Sequence, residues 1–240
     1  MSAAGQSRCA VRVILFRPTG SDGFDIYLMR LGPESDYDFP GRDIAQDDCR
    51  QAMLRRCRGL SGGQARKCLG SELRPELVLG HWVAAIRALF EEVGALFCVS
   101  EPRDPTQITG REERLSAKRW ELASGKLGFR DFLESEGLFC DLTRLVYFSH
   151  WLEPVASRGP VPTRHFLGRL PRHQAAVQAG WEFRETLWIT PERALQEHSR
   201  HMLPLAFSVF ATLRTLADFE SWRSLCEEYG LRPDEDPQES

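Results

Sequence analysis

The period of the apolar positions changes several times along the chain, and each change marks an element. Val11 to Phe16 and Phe24 to Arg30 are short runs rich in β-branched and aromatic residues, separated by turn formers from Pro18 to Gly23, which predicts a β-hairpin. Leu31 to Asp38 has Gly, Pro, Ser and three acids but no apolar period, so it reads as a loop ending in a sharp turn at Phe39-Pro40-Gly41. From Trp82 to Phe97 the period lengthens. Val83, Ile86, Phe90, Val93 and Phe97 recur three and four residues apart, the spacing of an amphipathic helix. Further helices are expected around Arg111 to Ser124 and Phe129 to Glu136, and strands at Leu145 to Leu152, His165 to Leu170 and Leu187 to Thr190. Thr190 and Pro191 supply the N-cap and first position of another helix. Helices over Pro204 to Phe219 and Ser221 to Tyr229 precede an acidic tail at Pro233 to Ser240.

Side chains one residue apart on a helix are rotated by about 100°, so the face opposite the apolar stripe is made by Ala84, Ala88, Glu91, Glu92 and Ala95. Two adjacent carboxylates thus stand among alanines. Arg87 lies four residues before Glu91, close enough to hold its carboxylate in one rotamer, and Gly94 is the expected helix breaker. Carboxylates gathered near a helix C-terminus repel each other and the partial negative charge there, and so call for a cation. Hard oxygen ligands of this kind suit magnesium, which in turn grips phosphate oxygens. The plainer alternative is a solvated Glu-Glu pair with an intrahelical salt bridge.

Composition narrows the setting without changing this picture. The 31 basic and 34 acidic residues leave a net charge of −3, too balanced for a surface built around nucleic acid. The seven cysteines are scattered, with no closely spaced pairs of a zinc or redox site, which fits a reducing compartment. No run of about 18 apolar residues could span a bilayer, and Met1 to Ala10 has no apolar block of a secretory signal, so a cytoplasmic protein is expected, without a membrane partner. Asp47 to Lys67 is rich in arginine; it could bind a phosphate or form a solvated helix face. Trp151, Trp181 and Trp188 could stack on a flat base or belong to the core. With no internal repeat and no Gly/Ser linker, one domain over residues 1–232 is expected, with insertions at about 48–80 and 101–142.

Arg87-Ala88-Leu89-Phe90-Glu91-Glu92-Val93-Gly94 resembles the helical half of the Nudix box, in which Gly, five residues, Glu and seven residues precede Arg-Glu-x-x-Glu-Glu-x-Gly. Phe39-Pro40-Gly41-Arg42 resembles the glycine turn that opens the box, and Asp47 falls where its first acid would stand. Between Asp47 and Arg87 lie 39 residues, similar to the branch of Nudix hydrolases that resembles the peroxisomal coenzyme A diphosphatase and carries an insertion inside the box. The likeness continues through Tyr147 to Pro154, Thr163 to Phe166, and Glu182 six residues before Trp188. It implies an α+β Nudix fold, a mixed β-sheet sandwiched between helices, with helical insertions. By the same resemblance Arg87, Glu91 and Glu92 are the catalytic residues; Gly41, Arg42 and Arg30 face the substrate; and Glu91, Glu92, Glu182 and Asp47, or its neighbour Asp48, hold Mg2+ or Mn2+. The implied substrate is a nucleoside-diphosphate or coenzyme A type small molecule, and a homodimer is compatible with it.

Two positions depart from the pattern. Ala88 stands where the family has Glu, on the same helical face as Glu91 and Glu92, and Arg42 stands where the branch has a second Gly. Loss of a general base costs on the order of 10²- to 10⁴-fold in rate. Arg42 could crowd a phosphate or bind it. Glu34, Asp36 and Asp38 make the loop after Arg30 acidic, which weighs against the anionic coenzyme A headgroup. Three readings stay open: a metal-dependent diphosphatase, a Nudix-fold module that binds a nucleotide-like ligand without hydrolysing it, and a scaffold for another protein.

Overall fold

The computed structural model describes residues 9–70, 73–100, 112–155, 159–176 and 185–231. Strand β1 (Ala10–Thr19) lies at the centre of a mixed six-stranded sheet with β2 (Gly23–Arg30), β3 (Gly41–Asp43), β7 (Leu145–Val155), β8 (Gly159–Arg169) and β9 (Glu185–Ile189), in the order β7-β8-β1-β2-β9. β8 runs parallel to β1, and the other pairings are antiparallel. One edge of β1 serves two partners: Ala10 to Arg12 pair with β3, and Phe16 to Thr19 pair with β2.

Successive side chains of the two hairpin strands point to opposite faces and divide the core. Val11, Val13, Leu15, Tyr27 and Met29 point to one face, and Ile14, Phe16, Ile26 and Leu28 to the other. The first face is covered by α3 (Pro75–Ala88), with Trp82, Ala85 and Ile86 against the sheet. The second is covered by α6 (Pro191–Ser199), α7 (Phe207–Leu216) and α8 (Trp222–Tyr229) through Ala194, Val209, Leu213 and Leu225. A mixed sheet therefore lies between helical layers, the α+β arrangement expected. β8 begins six residues before its expected start because Pro160 and Pro162 mask it. Both prolines face only β7, since pairing with β1 starts at Thr163, and so no β1 carbonyl loses a donor.

The long helix differs from expectation at both ends. It starts at Pro75, where proline occupies the first turn, and after Ala88 it widens into a single π-turn, Leu89–Val93, that Gly94 stops in the left-handed region at φ 77°. Ala84, Ala85 and Ala88 are wholly buried, so the alanine face is a packing surface and not a solvent face. The cover on that side comes from the two inserted stretches. The first forms a 3-10 turn (Gln46–Cys49), α1 (Gln51–Leu54), β4 (Cys57–Arg58) and α2 (Gly62–Leu69). The second forms α4 (Glu112–Ala123), α5 (Phe129–Glu136) and β6 (Leu138–Asp141), and β6 joins β4 to β5 (Cys98–Ser100) in a small sheet that aligns Cys57, Cys140 and Cys98. Among the described residues no helix is long and apolar enough to cross a membrane.

His81 ties α3 to the sheet. Its Nδ1 lies 2.6 Å from the Leu77 carbonyl and its Nε2 lies 3.0 Å from Arg164 Nη1, so Nδ1 carries the proton and Nε2 accepts from the guanidinium. Burial and the charge of Arg164 lower the pKa of His81 to about 4. In the unfolded chain the ring titrates near ~6.5, so the unfolded state takes up a proton that the folded state refuses. The stability His81 contributes is complete above pH ~6.5 and is lost as pH falls towards about 4. In denaturant titrations across that window wild type should lose stability relative to His81→Leu; parallel curves would contradict this assignment.

Candidate active site

The widened turn at the end of α3 determines where the acids go. In a π-turn each residue advances less around the axis than in an α-helix, so successive side chains stay closer in direction. Glu91 and Glu92 consequently reach one point. Arg42 Nε lies 3.3 Å from Glu91 Oε2 and 3.3 Å from Glu92 Oε1, and each carboxylate side chain is only 8% exposed. The backbone N–H of Gly41 donates to Glu92 Oε2 at 2.8 Å. Gly41 is needed here for close approach: a Cβ would run into the Val11 carbonyl oxygen and the Arg12 side chain. The expected change of direction falls at Pro40, where the chain bends, and Gly41 then opens β3.

Arg87 fixes the opposite wall. Its Nε and Nη2 donate to the two oxygens of Asp48 at 2.9 and 2.8 Å, Nη2 also reaches the Asp43 carbonyl at 3.1 Å, and Nη1 meets Glu91 Oε1 at 3.4 Å. The intrahelical contact to Glu91 is thus the weaker one, and the bidentate pair with Asp48 dominates. Burial works against the Arg87 charge, but its hydrogen bond to Asp48 and the charges of Asp48 and Glu91 outweigh this and raise the pKa. Asp48 is 3% exposed and also accepts from the Ala45 N–H at 2.8 Å, so both its oxygens are engaged.

The remaining expected site residues lie elsewhere. Asp47 points outward, 76% exposed, and pairs with Arg50 at 2.9 Å. Arg30 binds Glu185 at 2.6 Å and stacks over Tyr37. Glu182 and Trp181 lie outside the described residues. Of the arginine-rich stretch, Arg56 and Arg58 sit over Phe139. Trp188 packs edge-on against Tyr27, and Trp151 against Phe207.

A group that the sequence reading missed adjoins Gly41. Arg12 Nε binds Asp38 Oδ2 at 2.8 Å, and its Nη2 lies 3.6 Å from Glu153 Oε2. Glu153 Oε1 meets His165 Nε2 and accepts from Ser208 Oγ, both at 3.0 Å. Burial raises the pKa of Glu153, but hydrogen bonds from His165 and Ser208 and the charge of Arg12 bring it below the usual range. The available signal was an arginine inside the otherwise apolar run Val11 to Phe16, at a position whose neighbours on the same face are core.

No family model and no curated protein matches the sequence. Solved structures do match. A Nudix hydrolase from Alicyclobacillus acidocaldarius is similar over 96% of this chain and 100% of its own, with 19% identity and a TM-score of 0.69. A binary complex of the C. elegans Ap4A hydrolase is similar over 88% of this chain and 99% of its own, with 12% identity and a TM-score of 0.44. The chain has the Nudix fold.

Glu91 and Glu92 offer hard carboxylate oxygens aimed at one point, which fits Mg2+ or Mn2+. Asp48 has its oxygens committed to Arg87 and Ala45, and Ala88 has none to give. Among the described residues no cluster of three or more His, Cys, Asp or Glu is gathered around a common point. The fit is that of a two-carboxylate set.

Asp47 and Asp48 are neighbours in sequence but differ sharply in energetic role. Asp48→Ala leaves the buried Arg87 charge without its main partner and should cost about 3 to 5 kcal/mol of unfolding free energy. Asp47→Ala removes an exposed pair and should stay within about 0.5 kcal/mol. Denaturant unfolding of the two variants measures the difference, and equal losses would refute the assignment.

Proposed function

We propose that this chain is a Nudix-type diphosphatase that cleaves the diphosphate linkage of a nucleotide-type substrate, such as coenzyme A or an acyl derivative, with Mg2+ or Mn2+. The observation that carries the reading is the convergence of the buried Glu91 and Glu92 carboxylates beside the Gly41 N–H, in a chain with the Nudix fold. A divalent cation bound there would neutralise diphosphate oxygens and polarise the attacking water. The protein's own groups have distinct parts. Glu91 and Glu92 supply the oxygen donors, with Glu182 as a candidate third. Arg87 and Asp48 are positioning residues that hold the end of the helix against the 3-10 turn following β3, the strand that carries Gly41 and Arg42. Asp47, exposed and paired with Arg50, is not retained as a ligand in this proposal.

A second reading is favoured by Ala88, a wholly buried methyl where the resemblance calls for a carboxylate. With no base at that position, the site would hold a nucleotide-like ligand with little or no turnover. The cost of a missing general base, on the order of 10²- to 10⁴-fold, is large enough to separate the two.

Purified protein incubated with magnesium or manganese and a panel of coenzyme A, acyl-coenzyme A, dinucleotide and sugar-nucleotide diphosphates should release cleavage products from at least one of them. Absence of turnover on all, with ligand-dependent thermal shifts retained, would select the binding module. Ala88→Glu should raise the rate more than about tenfold if the helix is a catalytic box lacking its base. Because position 88 is buried, the melting curve of the variant must match wild type before an unchanged rate counts against this reading.

A further inference from the structure

We propose that Arg42 is a built-in counter-ion of the Glu91–Glu92 pair, which a divalent cation has to displace before it can occupy the pair. The inference rests on the reading of these two carboxylates as metal donors. The Arg42 Nε lies at the same 3.3 Å from an oxygen of each acid, and so stands against both of the groups that would hold the cation. Two buried carboxylates on adjacent residues need compensation; Arg87 is engaged mainly with Asp48, and Arg12, whose charge reaches Glu92, is paired with Asp38 and Glu153, so Arg42 is the guanidinium placed against both acids. Among the directly paired groups, three carboxylates (Asp48, Glu91, Glu92) and two guanidinia (Arg42, Arg87) leave a single negative charge, and the charge of Arg12, itself paired with Asp38 and Glu153, also acts on Glu92. With Arg42 in place, a divalent ion entering the pair would make the cluster net positive and meet a like charge at contact distance.

The two arginines differ in how firmly they are held. Arg87 is 12% exposed and donates to Asp48 and the Asp43 carbonyl as well as meeting Glu91. The Arg42 side chain is 33% exposed and extends from a strand of three residues. Its buried Nε sits near both carboxylates but makes a hydrogen bond to neither. Charge attraction without hydrogen-bond geometry is the weaker way to hold a guanidinium, so Arg42 is the cation that yields. Once displaced it faces solvent, where a planar guanidinium is suited to pair with an incoming phosphate.

The test uses the full chain, Mn2+ alone and no substrate, with free Mn2+ followed by electron paramagnetic resonance at fixed ionic strength. Arg42→Gln, which removes the charge, should bind Mn2+ at least about tenfold more tightly than wild type. Arg42→Lys, which keeps it, should stay within a few-fold of wild type. Glu92→Gln placed on Arg42→Gln should abolish the gain. If Arg42→Gln binds no more tightly than wild type while Glu92→Gln still removes binding from both, the counter-ion role is overturned and the metal-donor reading stands. If Glu92→Gln leaves Mn2+ binding untouched in both backgrounds, the donor reading and the counter-ion role fall together. Melting temperatures of all variants, measured alongside, separate these outcomes from misfolding.

Discussion

The bidentate pair between Arg87 and Asp48 is the joint on which the site depends. It joins the last α-helical turn of α3 to a loop that is 39 residues away in sequence, and it does so with both side chains almost fully removed from water. A pair of this kind contributes little net stability relative to well-packed apolar residues, but breaking it leaves a charge buried without its partner. The loop is therefore held in one place relative to the helix. Gly41 and Arg42 on β3 face Glu91 and Glu92 on the π-turn beside that joint, with β3 packed closely on β1.

The parts of the fold set by local pattern were readable in the sequence. The β1–β2 hairpin follows from two β-branched and aromatic runs around a turn-forming segment, and the phase of α3 follows from Val83, Ile86 and Phe90. The beginning of α3 was not readable, since Gly80 and His81 interrupt the apolar period and only the packed structure shows why they are tolerated. His81 is neutral and bonded at both ring nitrogens, and Gly80 lets the turn containing Cys49 come close. Burial of the alanine face was also invisible. It depends on helices and a small sheet contributed by stretches that are distant in sequence, and no helical period encodes what will cover a helix from outside.

Within the candidate site, residue type was legible and geometry was not. Resemblance named Arg87, Glu91, Glu92 and Gly41, and the fold brings all four together. It placed the first acid at Asp47, whereas the 3-10 turn at Gln46–Cys49 directs the neighbouring Asp48 inward. Spacing cannot resolve a one-residue choice of that kind, because adjacent positions in a tight turn differ by a large rotation. Nor could spacing reveal that Arg42 would stand between the two acids, or that Arg12, Asp38 and Glu153 would line the neighbouring ground. These are contacts between strands and a helix end, and they exist only once register is set.

The inserted helix α4 makes one contact with a wider meaning. The buried side chain of Arg119 donates from Nε to the backbone carbonyl of Glu91 at 3.0 Å. Widening a helix into a π-turn and then stopping it leaves carbonyls short of donors, and here the donor comes from a helix in the second inserted stretch. The insertion is in that sense an external clamp on the backbone of a candidate-site residue. A chimera that trimmed residues 112–141 to a short loop would keep every residue of the motif and still lose the anchor behind Glu91.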